Sequence, residues 1–180
     1  DVIADISIFE DSQQSLQLFA NDVDGDDLSF SAFSASPENL SVLVLGSQLF
    51  MSPAENFNGS VHITVTVNDG FLEDEGTFQL IVTPVNDPPT ITLPESFTFD
   101  EDNVLEINFL EYMNDIDGDE LLITSSGNIN SIVSIEENIV VLGALENWSG
   151  IETLTFTVND NYQGRTIASD EVDVVVLPIN

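Results

Sequence analysis

No cysteine occurs in the 180 residues, so no disulfide staples the fold and no thiolate site for zinc can form. Cations are almost as scarce. Arg165 is the only Lys or Arg against 33 acids, and the formal net charge is -32. Such a chain cannot release counterions from phosphate, which excludes nucleic-acid binding, and it has nothing to offer an anionic membrane surface. A single histidine, His62, lies on the polar side of a strand pattern. A Ser–His–Asp hydrolase would have to use it, and no nucleophile elbow accompanies it. No run approaches the ~20 apolar residues that span a bilayer, and no signal-peptide pattern is visible. Hydrophobic residues still make up 42%, which excludes a disordered acidic tail.

What is present is written twice. Asp22 to Leu28 read DVDGDDL, and Asp115 to Leu121 read DIDGDEL. Glu10-Asp11-Ser12 is answered by Glu101-Asp102-Asn103, and Asn56-Phe57-Asn58-Gly59 by Asn147-Trp148-Ser149-Gly150. Val67-Asn68-Asp69 recurs as Val158-Asn159-Asp160, and Pro84-Val85-Asn86 as Pro178-Ile179-Asn180. A near-constant offset over five landmarks is an internal duplication. It predicts two domains, 1–86 and 87–180, each of a size that can close its own core. The second copy stops at Asn180 where the first runs on through Asp87-Pro88-Pro89, so the chain is expected to be a fragment of a longer array.

Strand patterns dominate. Val61, Ile63, Val65 and Val67 alternate with His62, Thr64, Thr66 and Asn68, and Leu154, Phe156 and Val158 alternate with threonines. Phe78, Leu80 and Val82, then Val172, Val174 and Val176, supply the last strand of each copy, and Leu16, Leu18 and Ala20 match Leu105, Ile107 and Phe109 as an early one. Period-2 alternation marks half-buried strands. No stretch keeps a helical period; Phe109 to Met113 is expected to be a short helical turn. About seven strands per copy between polar turns predict an all-β chain of two β-sandwiches.

An immunoglobulin-like route through seven strands puts the acidic runs between the second and third strands, at one end of each sandwich. Asn68-Asp69-Gly70, between the sixth and seventh, falls at that same end. Glu10-Asp11 and Asn56 to Gly59 fall at the opposite end, where the last strand delivers Asn86-Asp87. If two sandwiches stack end to end, the junction collects Glu10, Asp11, Asn86 and Asp87 from the first and Asp115, Asp117, Asp119 and Asp160 from the second. Calcium takes six to eight oxygens in loose geometry, and this group supplies them in surplus. Without a cation, two carboxylates ~5 Å apart repel by roughly 3 kcal/mol at an effective dielectric of ~20. Asp22, Asp24, Asp26 and Asp69 form the matching set on the first copy, and Glu101 matches Glu10. An EF-hand fails on spacing, because its Gly at position six and Glu at twelve would fall on Asp27 and Phe33, or on Glu120 and Ser126. The plain alternative is an acidic turn, since Asp-Gly is good turn chemistry.

Leu18-Phe19-Ala20-Asn21-Asp22-Val23-Asp24, Val65-Thr66-Val67-Asn68-Asp69-Gly70 and Val85-Asn86-Asp87-Pro88-Pro89 together resemble cadherin repeats, in the divergent form of large bacterial surface proteins. Glu10 and Glu101 sit where that family's first-strand glutamate would be. The resemblance implies Greek-key immunoglobulin/cadherin-like sandwiches in tandem, interdomain Ca2+, neighbouring repeats as partners, and a secreted or cell-surface location. Two departures, Asn56-Phe57-Asn58 in place of an acidic triplet and Pro84 in place of Asp, imply fewer ions per junction than the family's full set. The expected function is a calcium-rigidified stalk or adhesion segment. The alternative is a calcium-dependent module that binds polysaccharide or a like domain, with Trp148 as a stacking platform. No enzyme is expected: a glycosidase needs only two spaced carboxylates, but a small sandwich leaves little room for a cleft. Arg165 is expected to pair with a neighbouring acid.

Overall fold

Alternating Val, Ile and Thr side chains lose little by standing on a pleated surface, and here they build strands throughout. The computed structural model describes residues 3–160 and 166–179; Arg165 and Asn180 lie outside them. Contacts between Cα atoms divide the chain into two units, Asp1–Val85 and Asn86–Asn180.

Among the described residues the first unit has seven strands: β1 (Ile6–Phe9), β2 (Gln14–Gln17), β3 (Ser29–Ser34), β4 (Leu40–Leu45), β5 (Gln48–Pro53), β6 (Gly59–Asn68) and β7 (Glu73–Thr83). They form two sheets, ordered β1-β7-β6-β3 and β2-β5-β4. β1 runs parallel to β7, and the other pairings are antiparallel. Leu18, Leu40, Leu49, Met51, Ile63, Phe78 and Leu80 fill the space between the sheets. The expected early strand is shorter than its alternation. β2 ends at Gln17, and Leu18, although buried, already belongs to the loop. Its amide still donates to the Ser47 carbonyl at 2.8 Å, one position past the last paired residues, so the period-2 pattern reaches further than the strand.

The second unit repeats the plan with additions: β8 (Thr90–Ile91), β9 (Ser96–Asp100), β10 (Leu105–Asn108), β11 (Met113–Asn114), β12 (Leu122–Ser126), β13 (Ser131–Glu136), β14 (Ile139–Ala144), β15 (Gly150–Asn159) and β16 (Ile167–Leu177). The sheets are β12-β15-β16-β9 and β10-β14-β13, with β8 and β11 as a separate two-stranded pair. The helical turn expected after β10 is a 3-10 turn over Phe109–Glu111, started by the Asn108 side chain accepting from the Leu110 amide. Phe109 therefore leaves the strand and becomes the aromatic centre of the core, against Phe156 at 4.8 Å and Tyr112 at 6.0 Å between ring centroids. Both repeats are immunoglobulin/cadherin-like sandwiches with the loop order read from the motifs. Among the described residues no helix is long and apolar enough to cross a membrane.

Candidate metal centre

The two acidic runs are closed by their first aspartate. Asp22 Oδ1 accepts from the amides of Gly25 at 2.6 Å and Asp26 at 3.0 Å. Asp115 Oδ1 accepts from Asp117 at 3.0 Å and Asp119 at 3.2 Å. Gly25 and Gly118 take φ of 85° and 78°, a left-handed conformation that a side chain would strain. One carboxylate oxygen per loop is thus spent on shape, and the later acids are left to point elsewhere.

In the second unit they converge. The amide of Asp87 donates to Asp117 Oδ2 at 2.7 Å, and carboxylate oxygens of these two residues lie within 4.8 Å of one another. Asn86 Nδ2 donates to Asp160 Oδ2 at 2.8 Å, and the Thr166 hydroxyl donates to the same oxygen. Asp160, just past β15, is only 2% exposed. Asn86 Oδ1 and Asp115 Oδ2 are buried atoms with no hydrogen-bond partner among the described residues. The Asp119 carboxyl is pushed above the ordinary carboxylate range, first by desolvation and then by the charges of Asp115, Asp117 and Asp160. Hard oxygen donors that repel one another, two of them unsatisfied, suit a divalent cation held by carboxylates and an amide carbonyl. Asn86, Asp87, Asp115, Asp117, Asp119 and Asp160 are the residues that would hold it.

The first unit carries the matching loops in a different state. Asp69 accepts from Phe71 at 2.7 Å and Leu72 at 2.6 Å, and these amides lower its pKa. Asp22 and Asp69 line one open cleft with Asn21, Glu73 and Asp74. Asp24 and Asp26 stay exposed and are not part of it. Glu73 and Asp74 were hidden from sequence reasoning because they open a strand rather than a turn.

The remaining expected ligands shape the other end of each unit. Glu10, 3% exposed, accepts from the amide of Val85 at 2.6 Å. Glu101 does the same for Ile179 at 2.7 Å. Each first-strand glutamate thus ties down the chain leaving its own repeat, and Glu10 Oε2 has no hydrogen-bond partner among the described residues. Asp11 accepts from the Asn56 amide at 3.0 Å, and both residues sit at φ 56°. Asp102 and Asn147 take the same left-handed conformation in the second repeat, a conformation Asp and Asn tolerate better than most. Phe57 lies over Gly59, and Trp148 over Gly150, where an added Cβ would meet the ring at 3.2 Å and 3.1 Å. Trp148 packs against the core, half-buried. His62 is exposed on β6.

One acid escaped the motif reading. Glu152 on β15 stands where the first repeat has the buried Val61, as the shared register of β6 with β7 and β15 with β16 shows. Its carboxylate accepts from the amides of Ile129 at 2.9 Å, Asn130 at 3.0 Å and Ser131 at 2.8 Å. Partial burial pushes the carboxyl up, but the neighbouring Ser131 side chain and these amides outweigh it and bring it to about 2. The Ser131 hydroxyl is buried without a well-formed hydrogen bond, so the amides carry most of the effect. A lone Glu in the inward phase of a Thr- and Val-rich strand was the available signal.

The family model described as Bacterial Ig domain matches residues 2–81 and 86–174. No curated protein matches the sequence. Among solved structures, human protocadherin-24 EC1-2 is 18% identical with a TM-score of 0.57, covering 92% of this chain and 88% of that one. Protocadherin gamma B2 extracellular cadherin domains 3-6 is 14% identical with a TM-score of 0.63, covering 98% of this chain and 46% of that one. At these identities the likeness is one of fold. An endo-fucoidan hydrolase from glycoside hydrolase family 107 aligns at 20% identity and a TM-score of 0.41, and the chain spans 28% of its length; that likeness carries no argument about activity.

Proposed function

The chain belongs to the Bacterial Ig domain family, in two tandem copies, and from that premise we propose that it is a calcium-binding segment of an extracellular bacterial stalk or adhesion protein, whose partners are neighbouring repeats in a longer array. The observation that supports this most is the oxygen cluster of the second unit. Desolvation and then the charges of Asp115, Asp117 and Asp160 raise the Asp119 carboxyl, and Asn86 Oδ1 and Asp115 Oδ2 are buried without hydrogen-bond partners among the described residues. A bound divalent ion reverses the sign of that repulsion.

The same residues account for stiffening. Asn86 and Asp87 are the first residues of the second unit, and both are engaged in its cluster. The preceding residue, Val85, is held by Glu10 within the first unit. A cation that orders Asn86 and Asp87 therefore orders the chain on the far side of a peptide bond whose near side is already tied down. Trp148 is committed to its own core and to Gly150, so it offers no stacking platform in favour of polysaccharide binding.

Calorimetric titration with calcium tests the reading. The wild type is expected to bind in the range of extracellular modules, roughly 0.1–1 mM or tighter. Asp117→Ala should weaken the site, and Asp24→Ala should leave it in place. Absence of heat from a folded, calcium-stripped sample, confirmed by a silent melting curve, would refute the proposal.

A further inference from the structure

The outward face of the β2-β5-β4 sheet carries no charge, although the chain as a whole carries -32. Leu43 and Leu45 on β4 are 55% and 60% exposed, and Phe50 on β5 is 40% exposed. The register sets Leu43 against Phe50, Leu45 against Gln48, and Ser15 against Phe50. The second repeat supplies an internal control. The same register there sets Ser134 against Val141, Glu136 against Ile139, and Glu106 against Val141. Where the second repeat has Glu106, Ser134 and Glu136, the first has Ser15, Leu43 and Leu45. It has lost two carboxylates and gained two leucines on one face.

β4 is also the last strand of its sheet, with one side unpaired. Its sequence, LSVLVL, holds neither charge nor proline, and such an edge is a template for another strand. The second repeat protects the matching edge with Glu136 and Glu137. Between Leu28 and Ala54 the only charged residue is Glu38. Two copies of this chain repel wherever their acids face each other, and this is where they can approach without that cost.

We propose that β4 is a self-association edge, at which β4 of a second copy pairs antiparallel about a two-fold axis. The strand is self-complementary in that arrangement. Centred on Leu43, the pairing sets Ser41 to Leu45 against the partner's Leu45 to Ser41, with the two Leu43 side chains opposite each other and every outward side chain staying on the outer face. The contact is apolar and between like-charged molecules, so added salt strengthens it by screening the repulsion. The proposal does not rest on calcium, and its test is made in EDTA.

Sedimentation equilibrium over a wide concentration range should show the mean mass climbing from 19.6 kDa toward the dimer, and more steeply at high salt. The double variant Leu43→Ser/Leu45→Glu, which copies the second repeat, should raise the dissociation constant at least about tenfold. Ile132→Ser, on the matching strand of the second repeat, should change nothing. Because the chain has no cysteine, Leu43→Cys molecules should cross-link to one another more readily than Leu45→Cys molecules do. A wild type that stays monomeric at every concentration, a double variant that dimerises as the wild type does, or cross-linking by Leu43→Cys no greater than by Leu45→Cys would each overturn the proposal.

Discussion

Replacing Glu152 with Gln removes a charge from a site built to receive one. The carboxylate accepts from the amides of Ile129 and Asn130, in the segment before β13, and of Ser131, its first residue, and its pKa falls from 4.5 to about 2. Taken whole, such a shift corresponds to about 3 kcal/mol. The site is partly exposed, so solvent screening reduces this to roughly 1–2 kcal/mol. Gln keeps the shape but turns an NH2 group toward amide donors, so most of that contribution should be lost at neutral pH. For a unit of this size the melting temperature should fall by roughly 5–12 °C. Trp148 is the only tryptophan and lies in the second unit, so its fluorescence follows that unit alone. The folded pKa is depressed, so the contribution is complete above pH 4.5 and disappears as pH falls through about 2. The gap between wild type and Glu152→Gln should therefore be full near pH 7, narrow below pH 4.5 and close near pH 2. A gap that did not change with pH would show that Glu152 acts through packing and would refute the electrostatic account.

Asp119 works in the opposite sense. Its folded pKa is raised, so protonation favours the folded state, and this contribution is lost as pH rises through the folded value. In EDTA at pH 7, Asp119→Asn should melt higher than wild type by Trp148 fluorescence, and in excess calcium the order should reverse. Asp160→Ala leaves the Asn86 amide without its buried acceptor and should cost roughly 1–3 kcal/mol in urea unfolding; an equal cost for Asp69→Ala would contradict the different burial of these two aspartates. Gly59→Ala places a side chain at φ 143° and 3.2 Å from the Phe57 ring, and should destabilise the first unit by about 1–3 kcal/mol in the same assay.

The long strands β6, β7, β15 and β16 were legible because each sets an apolar residue at every second position, over Val61–Val67, Phe78–Val82, Leu154–Val158 and Val172–Val176. The end of the sandwich on which each motif falls followed from strand count alone. Other features left weaker traces. β8 and β11 are two residues each, too short for any period, and β8 follows Pro88-Pro89, which reads as linker. Asp11 read as a ligand and Asn56 as part of the stretch standing in place of an acidic triplet; both also hold left-handed turns joined by a hydrogen bond, a backbone role that an Asp or Asn in a turn does not announce. Glu152 had no partner in the other repeat, so duplication, the strongest signal in the chain, worked against seeing it. Within the candidate cation cluster, the loop acids and Asp160 were visible as repeated motifs. Asn86 was expected beside these acids but was counted with the first repeat; the structure counts it with the second unit, hydrogen-bonded to Asp160.

The central claim, that calcium at the second-unit cluster orders the chain between the repeats, is tested most directly by small-angle scattering with calcium and with EDTA on wild type, Asp117→Ala and Asp24→Ala. Calcium should narrow the spread of maximum dimensions for wild type and for Asp24→Ala, and should leave Asp117→Ala as broad as the EDTA samples. An unchanged spread in the wild type, or an equal response from both variants, would contradict it.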